Sequence, residues 1–251
     1  MNWDQHGLLS GPQPLWWQIA ERLRREIEFG GFKPGDILPS EATLNKTFGV
    51  SRTTARTALD KLEQEGLITR RAGKGSMVLP PPHVVQPLNQ MSSFAEDMRR
   101  RGFTAGYATL AVRMTAPPPE AAGALGLAEN VKTLLVSRLL SADGLAVAVS
   151  HSWLAPALFG HHPIPTVEEL NSGSLYVWLE QRCGCRITGA RETISAGIAD
   201  GDLSRSLAIA RGTAVLIARR LCHDSRQQPV EFAAISYRAD RYSFTIDLVR
   251  S

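Results

Sequence analysis

The sequence predicts an α+β protein in two parts, and three observations carry that prediction. Residues 12–78 show helical stripes punctuated by glycine and proline, then a short β-rich hairpin. A proline cluster, Pro80-Pro81-Pro82 with Pro87 beyond it, interrupts the chain. After it, β-rich runs come in adjacent pairs with helical segments between them, which indicates an antiparallel sheet with packed helices and not a helical bundle.

Composition agrees. A chain of 251 residues is long for one average domain and sufficient for two cores. With 43% hydrophobic and 21% charged residues, it is neither disordered, collagen-like nor coiled coil. No apolar stretch reaches the roughly 20 residues that a membrane span needs. The start, Met1-Asn2-Trp3-Asp4-Gln5, lacks the basic and apolar regions of a signal peptide. Three cysteines cannot all pair, which fits a reducing cytoplasm. A formal net charge of +4 permits a polyanionic partner without requiring one.

In order along the chain, Leu15, Ile19, Leu23 and Ile27 recur every fourth residue and predict a helix from Pro14 to the Gly30-Gly31 stop. The turn Lys33-Pro34-Gly35-Asp36 follows. Ser40 is placed to cap a second short helix, with Glu41 at the positive end of its dipole, and Gly49 ends it. Ser51 caps a third helix, with Ala55, Ala58, Leu59 and Leu62 on one side and Gly66 as its stop. Residues 67–71 and 76–78 then flank a tip made of Ala72-Gly73-Lys74-Gly75. Three helices and a hairpin, with a tight Gly49-Val50-Ser51 turn, read as a winged helix-turn-helix over 12–78.

Residues 79–90 read as a semi-rigid linker, because consecutive prolines resist both helix and sheet. The rest, 91–251, carries β-rich runs at 131–141 and 145–154, joined at Ala142-Asp143-Gly144. A second pair lies at 215–223 and 230–237, followed by 242–249. Helical segments fall at 92–101, 118–125, 174–182 and 202–207.

The charge is placed for DNA. Between Lys46 and Lys74, seven basic residues stand against three acidic ones. Arg52, Thr53, Thr54 and Arg56 fill the first turns of the third helix, the part of a recognition helix that meets base edges in a major groove. Arginine grips guanine bidentately and threonine reaches bases or phosphates. Ser40 and Glu41 open the second helix, where a hydroxyl and free amides suit a phosphate. In the wing, Arg70 and Arg71 are expected on phosphates. Lys74, between Gly73 and Gly75, is expected to approach the backbone or minor groove closely. The bland alternative is that Arg52 and Arg56 are solvated surface charges, and the complete motif around them argues against it.

The same stretch carries a family resemblance. Pro14-Leu15, Gln18-Ile19, Lys33-Pro34-Gly35-Asp36, Leu38-Pro39-Ser40-Glu41, Phe48-Gly49-Val50-Ser51-Arg52, Ala58-Leu59 and Glu65-Gly66-Leu67-Ile68 resemble GntR-family transcriptional regulators. One departure is Ala42, where the family often has an arginine that touches DNA. The second part resembles the UTRA ligand-sensing domain of the HutC subfamily, which implies a chorismate-lyase-like fold. Arg138 before Ala142-Asp143-Gly144, Gly173-Ser174-Leu175-Tyr176, Pro229-Val230-Glu231 and Tyr237-Arg238-Ala239-Asp240-Arg241-Tyr242 carry this likeness.

The resemblance implies an effector pocket. Arg138 would face an anionic group, with Ser174 and Tyr176 at a helix start favouring the same anion. Glu231 and Tyr237 would bond hydroxyl, amide or amine groups of the ligand. Sugar-phosphate sensors of the subfamily often carry a second arginine where this chain has Leu140, and a glutamate where it has Ser150. A smaller or less charged effector is the expectation. Alternatives stay open: Tyr176 could face the core, Glu231 could lie on the surface, and His151 could point either way. The implied protein is a homodimeric repressor on a palindromic double-stranded DNA operator, with a small anionic effector and no cofactor.

Other motifs signify less. Cys183-Gly184-Cys185 with Cys222 supplies three ligands where structural zinc takes four, so no metal is expected. His161-His162 precedes a proline and reads as loop. Gly73-Lys74-Gly75 lacks the helix that follows a phosphate-binding loop. Two rival readings are a DNA-binding regulator without a ligand, and an enzyme on the lyase-like scaffold; fold alone does not decide the second.

Overall fold

The computed structural model describes residues 3–4, 7–9, 12–28, 30–71, 74–80, 83–88, 91–160 and 162–248. Ala72, Gly73, Pro81, Pro82, His161 and Val249, used in the sequence reading, lie outside the described residues. The chain divides near residue 82 into two compact units.

In the first unit, helices α1 (Leu15–Glu28), α2 (Glu41–Phe48) and α3 (Arg52–Gln64) precede the antiparallel hairpin β1 (Ile68–Arg71) and β2 (Gly75–Val78). Ile19, Ala20 and Leu23 of α1 are buried with Leu44 of α2 and Ala55, Ala58, Leu59 and Leu62 of α3, whereas Leu15 is exposed. Each fully buried leucine contributes about 1.5–3 kcal/mol of transfer free energy. Arg24 pairs with Glu65 through Nε at 3.0 Å and Nη2 at 2.9 Å, tying α1 to the end of α3. The hairpin is fastened to the preceding turn, because Leu38 N–H donates to the Ser76 carbonyl at 2.8 Å and Val78 N–H to the Asp36 carbonyl at 2.8 Å.

The second unit begins with a departure from the expected linker. Residues Val84–Pro87 form strand β3, which pairs in parallel with β10 (Tyr242–Thr245), Val84 opposite Tyr242. The prolines obscured a short alternation in which Val84 and Gln86 are buried and Val85 is exposed. Pro87 can end such a strand because a two-stranded ribbon leaves one edge free of hydrogen-bond demand.

Helix α4 (Phe94–Arg100) follows, then β4 (Ala105–Thr115), α5 (Pro119–Ala124), β5 (Thr133–Ala142) and β6 (Leu145–Leu154). Next come α6 (Val167–Asn171), α7 (Leu175–Cys183), β7 (Ile187–Ile198), α8 (Gly201–Leu207), β8 (Ala214–Asp224) and β9 (Pro229–Arg238). Six strands make one antiparallel sheet in the order β4-β5-β6-β9-β8-β7.

Two apolar clusters form on this sheet. One joins Met98 of α4, Val84 and Tyr242 to Leu140, Ala148, Ala233, Ile235 and Tyr237. The other joins Leu170 of α6 and Leu175, Trp178 and Leu179 of α7 to Leu134, Val136 and Leu154. On the opposite face, α5 packs Ala121 and Leu125 against Phe232 and Trp153. Among the described residues, no helix is long and apolar enough to cross a membrane.

Candidate functional site

Two groups of side chains stand out, one in each unit. In the first, Gly49 ends α2 at φ 64°, a left-handed position natural to glycine, and its N–H returns to the Asn45 carbonyl. The Asn45 side chain donates to the Val50 carbonyl across the same turn. That turn fixes where α3 starts.

Arg52, Thr53 and Arg56 are exposed on the first turns of α3. Thr54 is turned back on the cap: its N–H donates to Ser51 Oγ at 3.1 Å, and the two hydroxyls bond at 2.8 Å. Arg56 keeps a loose pairing with Asp60 at 3.8 Å and stays 69% exposed. Ser40, exposed, caps α2 by accepting from Thr43 N–H at 3.1 Å. Arg71, Lys74 and Gly75 are exposed on the hairpin, Gly75 at φ 82°.

Arg70 is placed differently from the expectation. Its guanidinium bonds both Glu41 on α2 and Asp60 on α3, and its backbone N–H donates to Glu63 Oε1 at 2.8 Å. Two carboxylates already take up the charge that the sequence reading assigned to phosphate. Glu41 is likewise spent on this bridge instead of facing outward. The three residues brace the hairpin against the two helices.

In the second unit, polar side chains fill the seam between the two apolar clusters. Arg138 pairs with Ser150 in register, and Ser150 with Ile235, so these positions share one face of β5, β6 and β9. Arg138, Ser150, Ser174, Tyr176, Glu231 and Tyr237 all line one cavity, which leaves about 50 Å³ free.

The cavity is electrostatically uneven. Arg138 is 9% exposed; its Nη1 donates to the Gly173 carbonyl at 3.3 Å, and its guanidinium lies 4.8 Å from the centre of the Tyr107 ring. Burial lowers its pKa, against the fields of Tyr107, Glu231 and Tyr176. Ser174 caps α7 by accepting from Tyr176 N–H at 3.2 Å, so the start of α7 opens on the cavity.

The Tyr176 ring packs against the α7 cluster, and its hydroxyl reaches the cavity and donates to Glu231 Oε2 at 2.9 Å. Burial raises the Tyr176 pKa well above the usual value, which keeps that proton on the phenol. Glu231 is buried, not a surface carboxylate. Tyr237 is also buried, and desolvation raises its pKa. His151 faces away from the cavity, with Nδ1 2.9 Å from Ser137 Oγ, and burial lowers its pKa.

Sequence reasoning missed other lining residues. Arg220 enters from β8 and is held by Glu192, Nε to Oε1 at 3.0 Å and Nη2 to Oε2 at 3.2 Å. Asp97 accepts from Ser92 Oγ at 2.5 Å and pairs with Arg101 at 3.0 Å. Tyr242 donates to Gln86 Oε1 at 2.6 Å, so β3 and β10 close one wall. The signal for Arg220 was available: Leu216, Ala218, Arg220 and Cys222 share one phase of β8, and Ala218 and Cys222 are fully buried.

Cys183 and Cys185 are half-buried and Cys222 is buried, all as free thiols. Among the described residues, no three His, Cys, Asp or Glu side chains gather as metal ligands.

Comparison with known proteins adds an independent finding. Residues 16–78 match the model of the bacterial regulatory proteins of the gntR family, and residues 100–243 match the UTRA domain. The HTH-type transcriptional repressor NagR of Bacillus subtilis (strain 168) is 31% identical over 239 residues, covering 94% of this chain and 95% of that protein. The HTH-type transcriptional regulator Rv0792c of Mycobacterium tuberculosis is 31% identical over 247 residues, covering 96% and 88% respectively. The crystal structure of PhnF from Mycobacterium smegmatis superimposes with a TM-score of 0.60 at 26% identity, covering 92% of this chain and 99% of that one.

Proposed function

The chain belongs to the GntR family of bacterial regulatory proteins, as a HutC-type member with a UTRA domain, and from that premise we propose a cytoplasmic repressor released or retained by a small anion. That it is a DNA-binding transcription regulator with an effector-binding domain, and not an enzyme, follows from the family and its relatives. The proposal concerns what it senses and how it sits on DNA.

The observation that carries the effector reading is Arg138. A buried guanidinium normally has a carboxylate partner, yet among the described residues Arg138 forms no ion pair and donates to the Gly173 backbone carbonyl. It faces a cavity beside the start of α7, whose free amides favour negative charge. The planar fork of arginine suits a carboxylate, phosphate or phosphonate. The free volume of about 50 Å³ holds only a few water molecules, which supports a small ligand.

For DNA, Arg52, Thr53 and Arg56 are the base-reading candidates, and Ser40, Arg71, Lys74 and Gly75 the backbone candidates. Two copies associating through their UTRA domains would set two recognition helices on a palindrome, with half-sites about one helical turn apart. Bound effector would then change operator affinity by a coupling of about 1–3 kcal/mol. Repression is supported by the relative named as a repressor.

The test is thermal unfolding of the purified protein against phosphorylated sugars, phosphonates, carboxylates and amino acids, followed by operator binding with each hit. A ligand at 100 times its dissociation constant stabilises the native state by about 2.7 kcal/mol. Arg138→Ala abolishes that stabilisation if the reading is right. An undiminished shift in the variant removes Arg138 from the pocket.

A further inference from the structure

The cavity contains two buried charges with no counter-ion within 4.0 Å among the described residues, although the field of Glu231 reaches Arg138 across it. Arg138 is one. Glu231 is the other: it is 2% exposed and accepts from Tyr176 Oη at 2.9 Å and Cys222 Sγ at 3.4 Å. Both of those donors are neutral, and among the described residues no Lys, Arg or His nitrogen comes within 4.0 Å of the Glu231 carboxylate. The remaining charged groups in the cavity are matched, Arg220 by Glu192 and Asp97 by Arg101.

Burying an ion without a partner is unfavourable unless something else supplies the opposite charge. Two such ions of opposite sign, in one cavity but not paired with each other, are complementary to a molecule carrying both charges. They also set its shape. Arg138 is on β5 and Glu231 on β9, with β6 between them, and the position in line with Arg138 on β9 is Ile235. Glu231 therefore lies both two strands across and farther along the sheet, which favours charges at opposite ends of a short chain over charges on a single carbon.

We infer that the effector is a zwitterion, with an oxyanion for Arg138 and an ammonium group for Glu231 at the far end of a short linker. This rests on the reading of the cavity as an anion site and narrows it. The ammonium would add a third, charged donor to Glu231 beside Tyr176 and Cys222. A carboxylate, sulfonate or phosphonate would fit Arg138 equally in kind, so the three head groups belong in separate arms of the test.

The experiment is calorimetric titration of the full-length protein with matched pairs of small molecules: ω-amino carboxylates, sulfonates and phosphonates with two or three carbons between the two charged groups, each beside its deaminated counterpart. In at least one series the amino compound binds at least about tenfold more tightly than its deaminated partner, as expected for a charge-assisted hydrogen bond to a buried carboxylate. Glu231→Gln, close in shape, narrows that preference to less than about twofold. Equal affinities within every wild-type pair overturn the zwitterion while leaving the anion site standing. A wild-type preference that survives intact in Glu231→Gln also overturns it, because the ammonium then lies elsewhere. If no member of any pair binds, the anion reading itself fails and this inference falls with it.

Discussion

At the scale of single residues, the arginines divide by what already holds them. Lys74 is exposed on the hairpin, while Arg70 is bound between Glu41 and Asp60. Their substitutions should differ in kind. Lys74→Ala lowers affinity for all sequences and reduces the slope of log affinity against log salt by about one phosphate contact. Arg70→Ala lowers affinity with the slope unchanged, because no counterion release is lost when an internal brace goes. Operator titrations at several salt concentrations distinguish the two, and a reduced slope in Arg70→Ala would return that residue to the phosphate backbone. The sequence located the basic wing correctly but could not tell these roles apart, since the carboxylates that claim Arg70 lie 29 and 10 residues away in the chain. Arg220 is legible through the phase of β8 alone: two consecutive arginines on a strand face opposite ways, and only that phase says which is inside.

Among the elements, legibility followed burial. Strands β5 and β6 are buried on both faces over much of their length and show as β-rich, largely apolar runs, so the sequence finds them. The two edge strands, β4 and β7, mix half-buried with exposed positions, bury none fully and carry many small or polar residues, so neither periodicity nor hydrophobicity announces them. Strand β3 was concealed by its prolines. The helices of the first unit were legible because their caps are local, Ser40 and Ser51 at the starts and Gly49 between. That gives a prediction at this scale. Gly49→Ala places a Cβ on a left-handed residue, at a cost of about 1–2 kcal/mol, although nothing lies within 4 Å of the added atom. Chemical denaturation measures the loss. A variant as stable as the parent would mean that the turn relaxes into another conformation.

For the whole molecule, a buried core within each of the two units implies two folding units, each with its own stability. Calorimetric unfolding should resolve into two transitions, and a ligand of the cavity should raise only the one belonging to residues 83–248. A single transition that shifts as a whole would mean that the units unfold cooperatively. The overall plan was the most legible level of all, because a basic helix-turn-helix and a family likeness are written in local motifs. The cavity's charge balance was not, since it is assembled from β4, β5, β6, β8, β9 and the helix starts at once.

The pairing of β3 with β10 has one further consequence, for the length of the leash between the units. Strand β2 ends at Val78 and β3 begins at Val84, and Gln86 of β3 and Tyr242 of β10 belong to the cavity wall. Whatever loosens that wall can also pay out chain. Unzipping the four residues of β3 would add about 14 Å of reach at full extension. A short strand beside the cavity therefore works as a spool, holding in reserve part of the chain that joins the two units.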